Sequence, residues 1–287
     1  MIKYEILKVN RDFVFLNDKI PTKGSRKKRI IITKYRYRIG FFKYEKYDCS
    51  EACSEKLSCE LAKILKIQCA DIDFAIDEDG VLGIISYVFF DRKSSHTDAK
   101  DFFNASEFDR KKFCTISSIK SFLDRYVGDG FEKFIEMMVF DALIGESDRH
   151  EENWGLTRRG TEYNFSPLYD CSCNLLREFK NKDISKPFYN GEKKLEDYVK
   201  KSKTCIYREN LVGRYKHFEL IEKLLEDYPE ITYKKISNLK RLLNINIWII
   251  LAKLPKGVIN NIHKQYIYIY VVIRKKILLD MIKRGEK

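Results

Sequence analysis

The stretch that decides the fold runs from Asp141 to Asp170 and reads DALIGESDRHEENWGLTRRGTEYNFSPLYD. It opens inside an apolar run, with Phe134, Met137, Met138, Phe140 and Leu143 recurring at the spacing of a buried helix. Gly145 stands where such a helix needs a residue that accepts a left-handed backbone in order to stop. A polar segment, SDRHEENW at Ser147 to Trp154, follows at once. Beyond it the pattern predicts a short hairpin, Trp154–Leu156 and Tyr163–Phe165 around a turn at Arg158–Gly160, leading through Ser166-Pro167-Leu168-Tyr169 to Asp170. A charged loop pinned between a buried helix and a hairpin is placed for chemistry rather than for packing.

The spacing inside that loop has a specific meaning. Asp148 and Asn153 form D-x-x-x-x-N, as in phosphoryl-transfer catalytic loops. One carboxylate can face an incoming hydroxyl while an amide oxygen five residues on reaches a metal. Asp170, beyond the hairpin, stands where a second carboxylate would meet the same metal. Taken singly, D-x4-N is common, Asp148 reads as a turn or capping aspartate and Asp170 as a surface turn. The helix, the hairpin and the second aspartate together raise the specificity. His150 is expected to hydrogen-bond within the loop and not to be the base, and Trp154 to be core.

Working outward, the first ninety residues read mostly as strands: Tyr4–Val9, Phe13–Leu16, then RIIITKYRYRIGFFKY from Arg29 to Tyr44, with Gly40 as the expected hairpin turn. A helix follows, with Ser50 as its cap and Ala52, Leu57, Leu61, Ile64 and Leu65 at helical spacing. Strands resume at Asp71–Ile76 and Val81–Phe90 around the turn DEDG at Asp77–Gly80. Asp91–Asp109 reads as a polar loop or linker. The remainder is largely helical, at Ile116–Tyr126, Phe131–Gly145, Leu195–Lys201, His217–Asp227, Ile231–Asn244 and from Ile245 on. QYIYIYVVIRKK from Gln265 alternates like a strand but is assigned to helix by its position. The sequence therefore predicts an α+β, bilobal protein: a β-rich lobe at 1–92 and a larger helical lobe at 93–287.

Phosphoryl transfer also needs a cation on the phosphates and an acid to hold that cation. Lys43 closes the strand IGFFKY, and Glu55 and Glu60 both lie on the following helix; spacing alone does not choose between them. PTKGSRKK at Pro21–Lys28 offers Gly24, Ser25 and Lys27 as a phosphate-contacting loop, although a charged hairpin turn reads the same way. It is neither a Walker A loop nor G-x-G-x-x-G.

Composition narrows the classes. In 287 residues, 44% hydrophobic content with 13 Gly and 5 Pro excludes a disordered or linker-dominated chain. The net charge of +13 permits a polyanionic partner, but the excess is scattered. RKKRIIITKYRYR comes nearest to a nucleic-acid stripe and lacks the compact form of one, so nucleic acid is not expected as a partner. The eight cysteines form no C-x-x-C pair and only four histidines are present, which argues against structural zinc and for reduced thiols. The N-terminus has no export-type apolar core, and Ile245–Leu254 is too short to span a membrane. A cytoplasmic location is expected.

SDRHEENWG followed by SPLYD resembles the HipA-like serine/threonine kinases, in their short CtkA-type form, where the stretch reads approximately LIG-x-x-D-R-H-x-x-N-W and then S-P-x-Y-D. The resemblance extends from PTKGS at Pro21 to the helical C-terminus and is specific from Leu143 to Asp170. It implies a kinase that uses ATP and Mg²⁺ to phosphorylate serine or threonine on a protein substrate. It places the catalytic base on Asp148, the metal ligands on Asn153 and Asp170, the phosphate-contacting lysine on Lys43, and its partner on Glu55, with Glu60 as competitor. The adenine falls near Val88, Phe90 and Asp91. The family's phosphate loop, often S-x-S-G-x-Q-x-K, falls on PTKGSRKK, where the match departs: Pro21 and Thr22 stand near the serine position and Arg26 replaces the glutamine. Thr22 and Ser25 are the local acceptors for any autophosphorylation. Longer members carry an N-terminal domain for which this chain leaves no room.

A metal-dependent phosphohydrolase would use Asp148, His150, Asn153 and Asp170 as ligands, but His96, His217 and His263 lie outside any metal-ligand pattern. A non-catalytic nucleotide- or nucleic-acid-binding module is disfavoured by the intact Asp148, Asn153 and Asp170.

Overall fold

The computed structural model describes residues 2–16, 27–35, 37–46, 49–103, 108–180, 182, 184–186, 188, 192–210 and 212–284. The N-terminal lobe is a six-stranded sheet of β1 (Ile6–Lys8), β2 (Phe13–Phe15), β3 (Lys28–Thr33), β4 (Ile39–Tyr44), β5 (Ile72–Ile76) and β6 (Leu82–Tyr87). Its order is β1-β5-β6-β4-β3-β2, antiparallel except for the β1–β5 pair. Strand alternation divides the side chains between two faces. Phe13, Ile31, Phe42, Ala75, Ile85 and Tyr87 form a small core on one. Phe74 and Ile84 pack on the other, in the large core shared with helix α1 (Glu51–Leu65).

Two local expectations for this lobe change. Gly40 lies within β4 and not in a turn: a Cβ there would sit 2.8 Å from Ile85 Cγ2 and 3.0 Å from Ser86 O, so glycine permits close strand approach. The hairpin turn falls just before it, where Tyr37 has φ +48°. Ser50 precedes α1 without capping it through its side chain; its Oγ donates to Arg177 O instead.

The helical lobe is built around α4 (Gly130–Ile144). α4 is apolar on nearly every side, as a helix surrounded by others must be. Around it pack α3 (Ile116–Tyr126), α6 (His217–Asp227), α7 (Pro229–Asn238) and α9 (Asn261–Arg284). The ambiguous Gln265 segment is helical within α9: Ile267, Tyr270, Val271, Arg274 and Leu278 are buried at three- and four-residue spacing. The predicted hairpin is β8 (Gly155–Arg159) with β9 (Glu162–Phe165), and Trp154 before it is 2% exposed.

The linker expected at Asp91–Asp109 contains a strand, β7 (Ser94–Asp98), paired with β8, followed by a 3-10 turn at Ala99–Phe102. SSHTD has no apolar alternation to announce a strand; the free edge of β8 imposes it. A second strand pair, β10 (Lys203–Tyr207) with β11 (Arg214–Lys216), is likewise unannounced and braces the charged loop, Cys205 Sγ donating to Ser147 O at 3.5 Å. Among the described residues, no helix is long and apolar enough to cross a membrane.

Gly145 ends α4 with φ +76°, and a Cβ there would lie 1.9 Å from Tyr270 Oη. Tyr270 cannot withdraw easily, because it is buried and accepts from Arg274 Nη1 at 3.1 Å. Gly145→Ala is expected to cost on the order of 3 kcal/mol of stability from backbone strain plus overpacking, read by denaturant unfolding. Stability within about 0.5 kcal/mol of wild type would show that the helix end relaxes freely.

Candidate active site

Three of the predicted residues meet where the lobes face each other. Lys43 Nζ lies 3.0 Å from Glu55 Oε2 and 3.0 Å from Asp170 Oδ1. β4 delivers the lysine, α1 the glutamate and the segment after β9 the aspartate. The Lys43 and Glu55 side chains are 9% and 1% exposed and Asp170 is 37% exposed, so the trio opens toward solvent on the aspartate side alone. Asp170 has φ +52°, a left-handed conformation that aspartate tolerates better than most residues. Glu60 is turned elsewhere, toward Lys56 at 3.1 Å and Tyr4 Oη at 3.3 Å.

The strand register adds a cation that sequence reading missed. Lys28 pairs directly with Lys43 across β3 and β4, so the two share a face. Burial lowers the Lys28 ammonium from its ordinary value, and the neighbouring Lys43 lowers it further. Lys27 points to the opposite face, its Nζ 4.5 Å from the Tyr44 ring centroid. Gly24 and Ser25, with Thr22, lie outside the described residues.

The loop after α4 is fixed from beneath. Arg149, fully buried, donates from Nε and Nη2 to the Asp141 carboxylate, both at 3.0 Å, and from Nη1 to Asn153 O at 2.9 Å and Tyr169 O at 2.7 Å. It thereby ties the loop to the residue preceding Asp170. Asn153 Nδ2 donates to Asp148 O at 2.7 Å and lies 3.2 Å from His150 Nε2, closing the loop on itself as expected for His150. The Asp148 carboxylate is 53% exposed, open to an incoming molecule.

Glu146 forms the link between loop and helix. Its Oε1 accepts from Asp148 N–H at 2.8 Å; its Oε2 accepts from Cys173 N–H at 3.1 Å and Asn174 Nδ2 at 2.9 Å. Asn174 in turn accepts from Ser54 Oγ at its backbone oxygen (3.1 Å) and from Ser58 Oγ at Oδ1 (3.3 Å), both on α1. Arg177 pairs with Glu51 at the start of the same helix. The orientation of Glu55 is thus coupled to the loop that carries Asp148. No spacing rule marks these residues, since each makes contacts more than a hundred positions away or across a loop of unknown path.

Burial pushes the Glu146 carboxyl up to about 7 from its ordinary 4.5, with Asp141 adding to the rise and Arg149 and the donated hydrogen bonds opposing it. A carboxyl raised on folding stabilises the protein fully below its unfolded value, and that contribution is lost as pH rises through the folded value. Wild-type stability should therefore decline relative to Glu146→Gln between pH 4.5 and about 7 and run parallel outside that window. Urea unfolding across the pH range reads this directly; parallel curves throughout would remove Glu146 as a titrating group.

The Val88–Asp91 connection runs beside the site. Val88 N–H donates to Ile39 O at 3.0 Å, while Phe90 is 40% exposed with its ring 6.4 Å from His96. Phe89 stacks on Tyr169 at 5.7 Å, one residue from Asp170. His96 is engaged by Ser166, Asp98 and Tyr169.

The family described as HipA-like C-terminal domain matches residues 11–230. The chain belongs to the HipA-like C-terminal domain family. A curated relative, the serine/threonine-protein kinase CtkA of Helicobacter pylori, is 24% identical over 160 residues, 52% of this chain and 45% of the relative, so the match spans less than half of that protein's length. Among solved structures, that of a Helicobacter pylori proinflammatory kinase CtkA superposes with a TM-score of 0.79 at 15% identity, over 96% of this chain and 99% of that one. A chain from the Shewanella oneidensis complex of HipA, HipB and operator DNA gives 0.56 at 12% identity, over 92% and 67%. At these identities the likeness is one of fold, and it agrees with the bilobal HipA-like architecture described above.

Proposed function

We propose that this HipA-like chain is a protein kinase that transfers the γ-phosphate of ATP, with Mg²⁺, to serine or threonine on a protein substrate. The observation that carries the reading is Lys43, 3.0 Å from both Glu55 and Asp170, beside a loop that leaves Asp148 exposed. The name of the curated relative points the same way. The same reading divides the chain into lobes at 1–92 and 93–287, with adenine near Val88 and Phe90 and the Pro21–Lys28 loop over the phosphates.

The donor set fits the ligands. Mg²⁺ takes oxygen ligands and commonly needs one or two side chains besides the phosphates. Asp170 supplies a carboxylate, and Asn153 directs its Nδ2 into the loop, so its Oδ1 is the atom left for a metal. Among the described residues no group of three or more His, Cys, Asp and Glu side chains could hold a metal ion, which favours this arrangement over a hydrolase built on an all-protein cage. Bound there, Mg²⁺ supplies charge neutralisation on the phosphates. Lys43, oriented by Glu55, contacts the phosphate oxygens, and Lys28 adds a second positive charge on the same face. Asp148 orients the hydroxyl of the substrate and accepts its proton as the oxygen attacks in line. Positioning and charge account for most of the rate in such sites, so few residues suffice.

The test is incubation of the protein and a generic basic substrate with γ-labelled ATP, with Mg²⁺ or with chelator, followed by phosphoamino-acid analysis. Label on phosphoserine or phosphothreonine, lost with chelator, is expected; mapping any label on the protein itself tests Thr22 and Ser25. Mg-ATP binding with no transfer to any acceptor would favour a nucleotide-binding module, and no binding would remove the reading.

A further inference from the structure

Beside Glu55 lies a small space of about 10 Å³, lined among others by Glu55, Cys59, Cys69 and Asp170. That is about the room of a single water-sized molecule. Two of the free cysteines on its wall are in contact: Cys69 Sγ lies 3.6 Å from Cys59 Sγ and 3.6 Å from Cys59 O. Their backbones belong to different pieces of the site. Cys59 is one turn after Glu55 on the same side of α1. Cys69 lies in the strap Gln68–Ala70, which bridges to Leu168: Leu168 N–H donates to Gln68 O at 2.9 Å and Ala70 N–H to Leu168 O at 2.8 Å.

We propose that Cys59 and Cys69 are a peroxide-sensitive pair whose disulfide locks α1, and Glu55 with it, to the strap that adjoins Asp170. The sulfurs are already in contact, and a bond between them needs a further approach of roughly 1.5 Å. Their roles are unequal. The S–H of Cys69 hydrogen-bonds to Cys59 and holds its thiol below the ordinary value against the opposing effect of burial, with Lys63 and Lys56 assisting, while Cys69 is held high. The geometry agrees: Cys69 Sγ is placed to donate to the sulfur and the carbonyl of Cys59, both at 3.6 Å, which makes Cys59 the nucleophile and Cys69 the resolving thiol. Cys171, also on the cavity wall, is instead engaged by Arg149, whose Nη2 lies 3.0 Å from its sulfur.

The chemistry balances with a hydroperoxide as oxidant. The Cys59 thiolate attacks one peroxide oxygen and breaks the O–O bond, leaving a sulfenic acid and releasing water, or an alcohol from an organic hydroperoxide. Cys69 sulfur then attacks Cys59 sulfur, the S–O bond breaks and a second water leaves. The two thiol protons end in the two released molecules; the sulfurs lose two electrons and the peroxide gains them. This inference does not rest on the proposed phosphoryl transfer and is read without it.

The experiment treats the full chain with hydrogen peroxide, alkylates remaining thiols in denaturant and maps peptides by mass spectrometry. The expected result is a Cys59–Cys69 cross-linked peptide as the main product, two hydrogens lighter and reversed by dithiothreitol. Cys69→Ser should instead trap a dimedone adduct on Cys59, whereas Cys59→Ser should give no adduct on Cys69. The oxidised wild type should unfold at a higher temperature than the reduced form, a difference absent in Cys59→Ser. Recovery of both cysteines alkylated, or a main product joining other cysteines, would overturn the pair. A lower unfolding temperature after cross-linking would overturn the lock.

Discussion

Asp170→Asn is expected to lower phosphate transfer about a thousand-fold or more and to weaken Mg-ATP binding at the same time. The carboxylate stands 3.0 Å from Lys43 on the exposed side of the trio, where it would be available to hold Mg²⁺. Asparagine keeps the shape and the left-handed backbone that this position requires (φ +52°), so folding should be spared. It removes the negative charge that pairs with Lys43 and that Mg²⁺ would use under the proposed function. Calorimetric titration with Mg-ATP, beside a transfer assay, separates the effects. Unchanged binding would place the metal elsewhere.

Lys43→Met should bring two losses. Transfer should fall by roughly a hundred- to a thousand-fold, because an oriented cation on the phosphates is gone. Stability should fall as well, by about 3–5 kcal/mol, since Glu55 then keeps a buried charge without its lysine. Their separation is the informative part. Adding Glu55→Gln to Lys43→Met should recover much of the stability and none of the transfer. Recovery of both would mean that Lys43 only holds the fold; recovery of neither stability nor transfer would mean that the pair is not what holds α1 in place.

What could be read from the sequence follows from where each constraint originates. The path from α4 through Gly145 to the hairpin and Asp170 was legible because helix period, glycine stop and turn residues are local signals. Glu55 and Glu60 could not be separated from spacing alone: both lie on α1, and only the meeting of that helix with β4 gives Glu55 to Lys43 and Glu60 to Lys56. Lys28 was hidden for a similar reason, since its face depends on a register that the sequence does not print. Gly40 reads as a turn because a glycine that admits a neighbouring strand looks the same in sequence as one that turns the chain. β7 was invisible because SSHTD owes its extended form to the edge of β8. Glu146, Arg149 and Asn174 each satisfy long-range polar groups, and satisfaction of buried donors is a property of the folded chain alone.

The most direct measurement is transfer of the γ-phosphate by wild type and Asp148→Asn side by side, with Mg-ATP binding measured on both. Asp148 is exposed and anchored through its backbone to Glu146 and Asn153, so the substitution should leave the loop in place. Loss of general-base action is worth about a hundred- to ten-thousand-fold. The account predicts labelled product from wild type, a loss of that size in the variant, and equal Mg-ATP affinity in the two. Wild-type transfer by Asp148→Asn would contradict it.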